Sequence, residues 1–357
     1  MAQSSGRVYG FGVVGCGVIG PRHAKAVAAL PNARLVAATD IVAEKATAYA
    51  ETHGCDAEAD LAHLLARDDI DVISVCVPSG LHAEIGVEAA RAGKHLVVEK
   101  PIDISLAAAD RLIEAAKSAG VRMTVISQHR FDAGLVELHR LLEEGRLGRL
   151  VLGDARVKWY RSQAYYDSGD WRGTWALDGG GALMNQGVHY TDLLRWCMGP
   201  VTEVTSICAT QSHQIEVEDV ALAVLRFASG AVGSLEASTA VFPGLPERLE
   251  ISGTDGSVII EDGAIVLREL MAERGEISAY GTKATGSAPT SSSAAADPTA
   301  LGNDAHTAQI ADLLAAIDEG REPLMTGEEA RNALEVVLAV YESARRKATV
   351  TLPLAAS

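Results

Sequence analysis

Gly15-Cys16-Gly17-Val18-Ile19-Gly20 is a complete G-x-G-x-x-G, and Asp40 follows twenty residues after its last glycine. Alone, such a hexapeptide says little. Here the apolar stretch Val8–Val14 runs into it and the Ala-rich segment Gly20–Leu30 runs out of it. A strand, a glycine turn and a helix in that order form a cradle for a dinucleotide pyrophosphate. Gly15 permits the tight turn, Gly17 lets the backbone approach the phosphates, and Gly20 lets the helix pack on the strand. Backbone N–H groups around Val18 and Ile19, at the helix start, are the expected phosphate donors. Asp40 can accept hydrogen bonds from both ribose hydroxyls and would repel a 2′-phosphate. No arginine follows it directly, so NAD is expected over NADP.

Further along stand two more groups that could do chemistry. Pro78 and His82 follow the apolar run Asp71–Val77, and Glu99-Lys100-Pro101 follows His95–Val98. In a parallel sheet all of these emerge at the carboxyl edge that borders the cofactor, so Pro78, His82, Glu99 and Lys100 are candidate cofactor neighbours. A plain helix-start role for His82 stays open. A lysine beside an oxidised nicotinamide feels positive charge and partial burial, both of which favour its neutral, proton-accepting form. In the second group, Asn185, His189 and Asp192 lie at i, i+4 and i+7 behind three glycines, Gly179 to Gly181, and so share one helical face. Just before them, Lys158–Asp178 crowds Arg161, Tyr165, Tyr166, Trp171, Arg172 and Trp175 into an irregular stretch. Aromatic faces and guanidinium forks suit a sugar ring, its hydroxyls, or a carboxylate or phosphate on it. Candidate substrate contacts are therefore Asn185, Arg172, Tyr166, Arg161, Trp171 and the later His306. For the last, an ordinary helix-start role is an equal alternative.

The elements that must position these residues change character along the chain. From Val8 to about Ser127, strands alternate strictly with helices, which predicts a doubly wound parallel sheet. After Phe131 the pattern becomes strand-rich, with Ser229-Gly230 and Asp255-Gly256 turns, and predicts a largely antiparallel sheet interrupted by one helix over about Gly181–Met198. Residues 281–303, rich in Ser, Ala, Thr and Gly, read as a loop, and two helices over about 305–347 end the chain. The expected division is a nucleotide-binding domain over 1–127 and an α+β substrate-binding and oligomerisation domain over 128–357.

The glycine fingerprint, the Glu99-Lys100-Pro101 turn, the GGGALMNQGVH stretch, and closing helices with His306, Gln309, Arg321 and Pro323 together resemble the Gfo/Idh/MocA oxidoreductases over nearly the whole chain. The resemblance implies a Rossmann domain followed by a domain with an open, mainly antiparallel sheet. It also implies Lys100 and His189 in catalysis. Many members carry an aspartate four residues before the histidine, whereas this chain has Asn185. An amide can bind a hydroxyl but cannot take its proton, so a proton relay through that position is in doubt; relatives acting on sugars and nucleotide sugars also carry asparagine there. The implied reaction is NAD-dependent hydride transfer at a carbinol carbon of a sugar, inositol or related polyol. The hydroxyl proton passes to Lys100 or His189, and the choice between them stays open. Alternatives are a nucleotide-linked uronic acid as substrate and a non-catalytic NAD(P)-binding sensor, which would need the fingerprint but not the proton-transfer pair.

Composition narrows the partners. The net charge of −16 would repel a nucleic-acid backbone. No apolar run is long enough to span a membrane, and no signal-peptide pattern opens the chain. Five cysteines without a CxxC pair argue against a disulfide framework or a zinc site, which leads to the expectation of a cytoplasmic, metal-free enzyme. An open sheet face would be costly to expose, so a homodimer or homotetramer is expected.

Overall fold

The computed structural model describes residues 6–274 and 304–354. The serine- and alanine-rich stretch expected to form a loop lies almost wholly outside the described residues. The chain divides into two compact units, and neither is a single run of sequence. Unit 1 comprises residues 1–128, 176–179 and 302–334; unit 2 comprises 129–175, 180–301 and 335–357.

Unit 1 is built in strict strand–helix alternation: β1 (Tyr9–Val14), α1 (Gly20–Ala28), β2 (Ala33–Thr39), α2 (Ala43–His53), β3 (Asp56–Ala57), α3 (Leu61–Leu65), β4 (Val72–Val75), α4 (His82–Arg91), β5 (His95–Val98), α5 (Leu106–Ala119) and β6 (Met123–Val125). The strands pair in parallel in the order β3-β2-β1-β4-β5-β6. Every residue of β1 and β4 is buried, as expected of strands covered on both faces by helices. Because β1 and β4 are neighbours yet lie on opposite sides of the chain's reversal, the crevice above their carboxyl ends is the topological switch point. Gly15, Asp40, Pro78 and the Glu99-Lys100 turn follow β1, β2, β4 and β5, and so share that one edge. The unit is completed by a late helix. Ile310, Leu313 and Leu314 pack on Tyr9, Phe11, Ala26 and Val27 in one buried cluster.

Unit 2 begins with α6 (Ala133–Glu143), β7 (Leu150–Lys158) and the short α7 (Gln163–Tyr166). A π turn (Leu183–Gly187) leads into α8 (Val188–Met198). Then come β8 (Val201–Ala209), β9 (Val220–Phe227), β10 (Val232–Ser238), β11 (Arg248–Gly253), β12 (Gly256–Glu261) and β13 (Ala264–Leu270). After α9 (Asp304–Glu319), which belongs to unit 1, α10 (Gly327–Arg346) and β14 (Val350–Thr351) end the described chain. The eight strands are ordered β13-β12-β11-β7-β10-β9-β8-β14, all antiparallel except β10 with β7. The fold is thus α/β with a parallel Rossmann sheet and a second, mainly antiparallel sheet. Alternate residues of β9 are buried and exposed, so one sheet face packs against helices while the other shows Leu222 and Val224. Among the described residues no helix is long and apolar enough to cross a membrane.

Candidate functional site

In unit 1 each fingerprint glycine has a distinct physical reason. Gly15 has φ +97°, and a Cβ there would lie 2.4 Å from the carbonyl oxygen of Cys76. Gly20 would meet the Gly15 carbonyl at 2.8 Å, so it allows the close packing of helix on strand. At Gly17 no described atom lies within 4 Å of the Cβ position, which leaves the loop open to a ligand. Among the described residues no side chain caps α1, and its first turn carries no acidic residue. Its N–H groups and dipole are therefore oriented for phosphate oxygens. The Asp40 carboxylate accepts hydrogen bonds from the N–H groups of Cys16 (2.8 Å) and Val42 (2.9 Å), so it is anchored to the glycine loop itself. Val18 and Ile41 stand 75% and 102% exposed beside it, apolar surfaces fit for the flat faces of a dinucleotide. These residues suit NAD.

The turn after β5 is more buried than expected. Glu99 is 4% exposed, and its Oε1 lies 2.9 Å from His23 Nε2. Burial would raise this carboxyl, but the bond and charge of His23, with His306 and Lys100 nearby, hold it down at about 2. Burial likewise opposes charge on His23; the Cys76 thiol and Glu99 overcome it and raise the imidazole. His82 is 1% exposed, with Nδ1 and Nε2 at 2.7 and 2.9 Å from the carbonyl oxygens of Pro101 and Val77. Burial drives its pKa down despite the two carbonyls. His82 and Glu99, expected beside the cofactor, have polar atoms engaged within the turn as buried anchors. Pro78 and Lys100 are half-buried at the carboxyl edge. His306 is 3% exposed, its ring edge-on to His23 with centroids 6.3 Å apart.

Of the three glycines, Gly179 closes a stretch of unit 1 with φ +75°; in unit 2 the other two are points of close approach, a Cβ on Gly180 lying 2.2 Å from the Tyr341 hydroxyl and one on Gly181 lying 1.7 Å from the Glu218 carbonyl oxygen. Glu218 is the buried clamp of this helix start. Its Oε2 accepts from the Gly181 N–H, and its Oε1 from the Leu183 N–H and the Tyr341 hydroxyl, each at 2.9 Å. Its carbonyl accepts from the Ala182 N–H at 3.0 Å. Burial pushes its carboxyl up to about 7, against those hydrogen bonds. The π turn that follows carries Asn185 and leads to His189, both half-buried. Such turns cluster at functional positions because they re-aim side chains. The His189 ring stands at 84° to that of His129, centroids 5.3 Å apart, and His129 Nδ1 lies 2.7 Å from Asp132.

Asp192 is buried in a two-bond ion pair with Arg130 (2.8 and 2.5 Å); the π turn takes Asn185 off the regular spacing that predicted a shared face, while His189 and Asp192 keep theirs within α8. In the aromatic stretch, Arg172 lies over both Tyr165 and Trp171, its guanidinium carbon 4.5 Å from each ring centre, and donates to the Tyr165 hydroxyl at 2.8 Å. Gln186 of the π turn donates to the same hydroxyl at 3.2 Å. Arg161 is 7% exposed and lies over Trp159 and Tyr165. Tyr166, expected at the substrate, is 5% exposed with its hydroxyl 2.7 Å from Thr239 Oγ1; its neighbour Tyr165 is the tyrosine that meets the arginines. Tyr165 stands in the aromatic stretch and Gln186 in the GGGALMNQGVH stretch without being singled out among the candidates, whereas His129 and Glu218 carry no sequence signal of their own.

Residues 9–127 match the model of the oxidoreductase family with an NAD-binding Rossmann fold, and residues 135–259 match the GFO/IDH/MocA C-terminal domain. The chain belongs to the GFO/IDH/MocA oxidoreductases. It is 26% identical to myo-inositol 2-dehydrogenase of Thermotoga maritima over 96% of this chain and 98% of that one. It is 29% identical to scyllo-inositol 2-dehydrogenase (NAD(+)) of Bacillus subtilis, over 70% of this chain and 72% of that one. Among solved structures it resembles the WlbA dehydrogenase of Bordetella pertussis in complex with NADH and UDP-GlcNAcA: TM-score 0.85, 34% identity, covering 98% of this chain and all of the other. It is an NAD-dependent oxidoreductase. Among the described residues no cluster of His, Cys, Asp and Glu is arranged to hold a metal ion.

Proposed function

We propose that this oxidoreductase interconverts a sugar, inositol or related polyol with its keto form, with residues 1–127 binding NAD and residues 128–357 binding substrate. The observation that carries this reading is Lys100 at the same carboxyl edge of the Rossmann sheet as the fingerprint loop and Asp40. A group that moves the proton of a carbinol belongs near the cofactor end of that edge. NAD supplies the hydride acceptor when bound. Lys100 and His189 together manage the hydroxyl proton, one accepting it and the other orienting the oxygen. Asn185 binds a neighbouring hydroxyl without proton transfer, and Arg172 with Trp171 offers a fork and a ring face to the polyol. The inositol dehydrogenases among its relatives support the polyol class.

The test is NAD⁺ reduction followed by NADH absorbance across inositols, aldoses, anhydrosugars and uronic acids, with Lys100→Ala and His189→Ala alongside the wild type. Neutral polyols should be turned over, and each variant should lose at least about a hundredfold in kcat while NADH still binds. The combined loss should be less than additive, because the two act as a unit. A His189→Ala enzyme with near-normal kcat on the best substrate ends the assignment.

We further propose a cytoplasmic homodimer or homotetramer. The five cysteines are all free thiols, and the open face of the unit 2 sheet exposes Ile207 (71%), Val224 (61%) and Leu222 (47%) as a patch suited to a second copy. Light scattering on the wild type and on Val224→Glu tests this; a monomeric wild type refutes it.

A further inference from the structure

The Glu99-Lys100-Pro101 turn is pinned on both sides of Lys100 by a buried imidazole. On one side His23 holds Glu99 at 2.9 Å, and the other oxygen of that carboxylate accepts the Lys100 backbone N–H at 3.2 Å. On the other side the buried His82 ring lies between the carbonyls of Pro101 and Val77 and, being neutral, donates to one of them, which fixes the turn beside the end of β4. Both histidines and Glu99 are at most 4% exposed. His306 stands edge-on to His23 and, with Lys100, bears on the Glu99 charge; the Cys76 thiol faces His23.

A buried carboxylate–imidazole pair is a poor device for stability, since apolar residues of the same volume hold a core as well or better. What such a pair provides is direction. His23 sits in the first turn of α1, the helix that begins at the pyrophosphate loop. The His23–Glu99 pair therefore links the cofactor-binding loop to the backbone of Lys100, while His82 fixes the next residue to the strand below the cofactor edge.

We propose that His23, Glu99 and His82 are positioning residues for Lys100, holding its backbone in register with the dinucleotide loop. The proposal rests on the reading of Lys100 as a proton-transfer residue. His23→Leu alone strands the Glu99 carboxylate in the core, so its loss of stability proves nothing. The decisive variant is the full-length His23→Leu/Glu99→Leu enzyme, in which no buried charge is left unpaired. It should keep its melting temperature within a few degrees and its NADH Kd within about threefold, while kcat falls about thirtyfold, the scale of a sub-ångström misplacement of a reacting group. His23→Gln, which keeps a donor for Glu99, should recover kcat to within about threefold of wild type. His82→Asn, whose shorter side chain cannot reach from Pro101 to Val77, should lower kcat about tenfold with NADH binding intact, and it decides the matter if the double variant does not fold. A double variant, or His82→Asn, with wild-type kcat overturns the proposal, as does a His23→Gln enzyme as slow as the double variant. Lys100→Ala separates the two claims. If it keeps full kcat, the catalytic reading falls and this proposal with it; if it is inactive while the double variant is normal, only the positioning role falls.

Discussion

Alanine at Gly181 is the sharpest perturbation that the structure offers of the helix carrying Asn185 and His189. Its Cβ would sit 1.7 Å from the Glu218 carbonyl oxygen, 2.8 Å from the carbonyl carbon and 3.0 Å from Oε2. Contacts under 3.0 Å essentially never occur for real Cβ atoms, so the helix start and the Glu218 backbone just before β9 must separate by about 1.3 Å (3.0 − 1.7). Overpacking of this kind costs about 1–3 kcal/mol. The same movement breaks the Ala182-to-Glu218 bond and strains the Gly181 bond to Oε2, each leaving a buried polar group at about 1–3 kcal/mol. These terms overlap, so we expect about 3–5 kcal/mol in all, a fall in Tm on the order of 10 °C. In the fraction that stays folded, kcat should drop about a hundredfold, because Asn185 and His189 ride on the displaced helix and a 1 Å error at a reacting group costs about that much. Gly17→Ala is the control, since its Cβ meets no described atom. It should leave Tm within about 2 °C and weaken NADH binding about tenfold or more. Differential scanning fluorimetry and single-turnover kinetics read both. A Gly181→Ala enzyme with wild-type Tm and kcat would show that the Glu218 contact does not hold the helix.

Three further outcomes follow from the same geometry. Asp40→Ala should erode the preference for NAD over NADP as measured by the ratio of kcat/KM values; an unchanged ratio removes Asp40 from the ribose site. Arg172→Lys should raise the polyol KM about tenfold with NADH affinity intact, because a lysine cannot lie flat between Tyr165 and Trp171 while also donating to the tyrosine hydroxyl; equal kinetics on all substrates would return Arg172 to loop packing. Burial, with Asp262 and Asp132 adding to it against His129 and Tyr190, pushes Glu247 up to about 7 from 4.5. The fold thus favours its protonated form, and the stability this contributes is complete below pH 4.5 and lost as pH rises through 7. Glu247→Gln should flatten this part of the Tm-against-pH curve, by about 3 kcal/mol at full amplitude, leaving the parallel slope from Glu218; a wild-type curve already flat over that range contradicts the assignment.

The cofactor half was legible because its physics is local. A glycine turn, the strand before it, the helix after it and an acid at the next strand end are all set within forty residues, and each glycine's reason can be read from the turn it makes. Lys100 was legible for the same cause: in a parallel sheet, following a strand places a residue at the carboxyl edge. The turn's supports were not. His23 reads as an ordinary helix residue and Glu99 as a cofactor neighbour, because nothing in the sequence says that α1 and the end of β5 bring them within 2.9 Å. For His82 the sequence leaves a helix-start role and a cofactor-edge role both open, and its place between two backbone carbonyls is a tertiary fact.

In unit 2 the limits of periodicity are plainer. Asn185, His189 and Asp192 have the spacing of one face only if the helix is regular, and the π turn over Leu183–Gly187 makes it irregular. The insertion lets the first part of the segment be set by Glu218 and Tyr341 while the second is set by the buried Arg130–Asp192 pair. Two independent anchors on one continuous helix cannot both be satisfied at 3.6 residues per turn unless their spacing happens to agree, and the extra residue absorbs the mismatch between them. Asn185 is in that turn and His189 is two residues past its end, where small changes at either anchor are felt most. Burial sets Asp192 apart from Asn185 and His189: at 2% exposure each of its oxygens accepts from the Arg130 guanidinium.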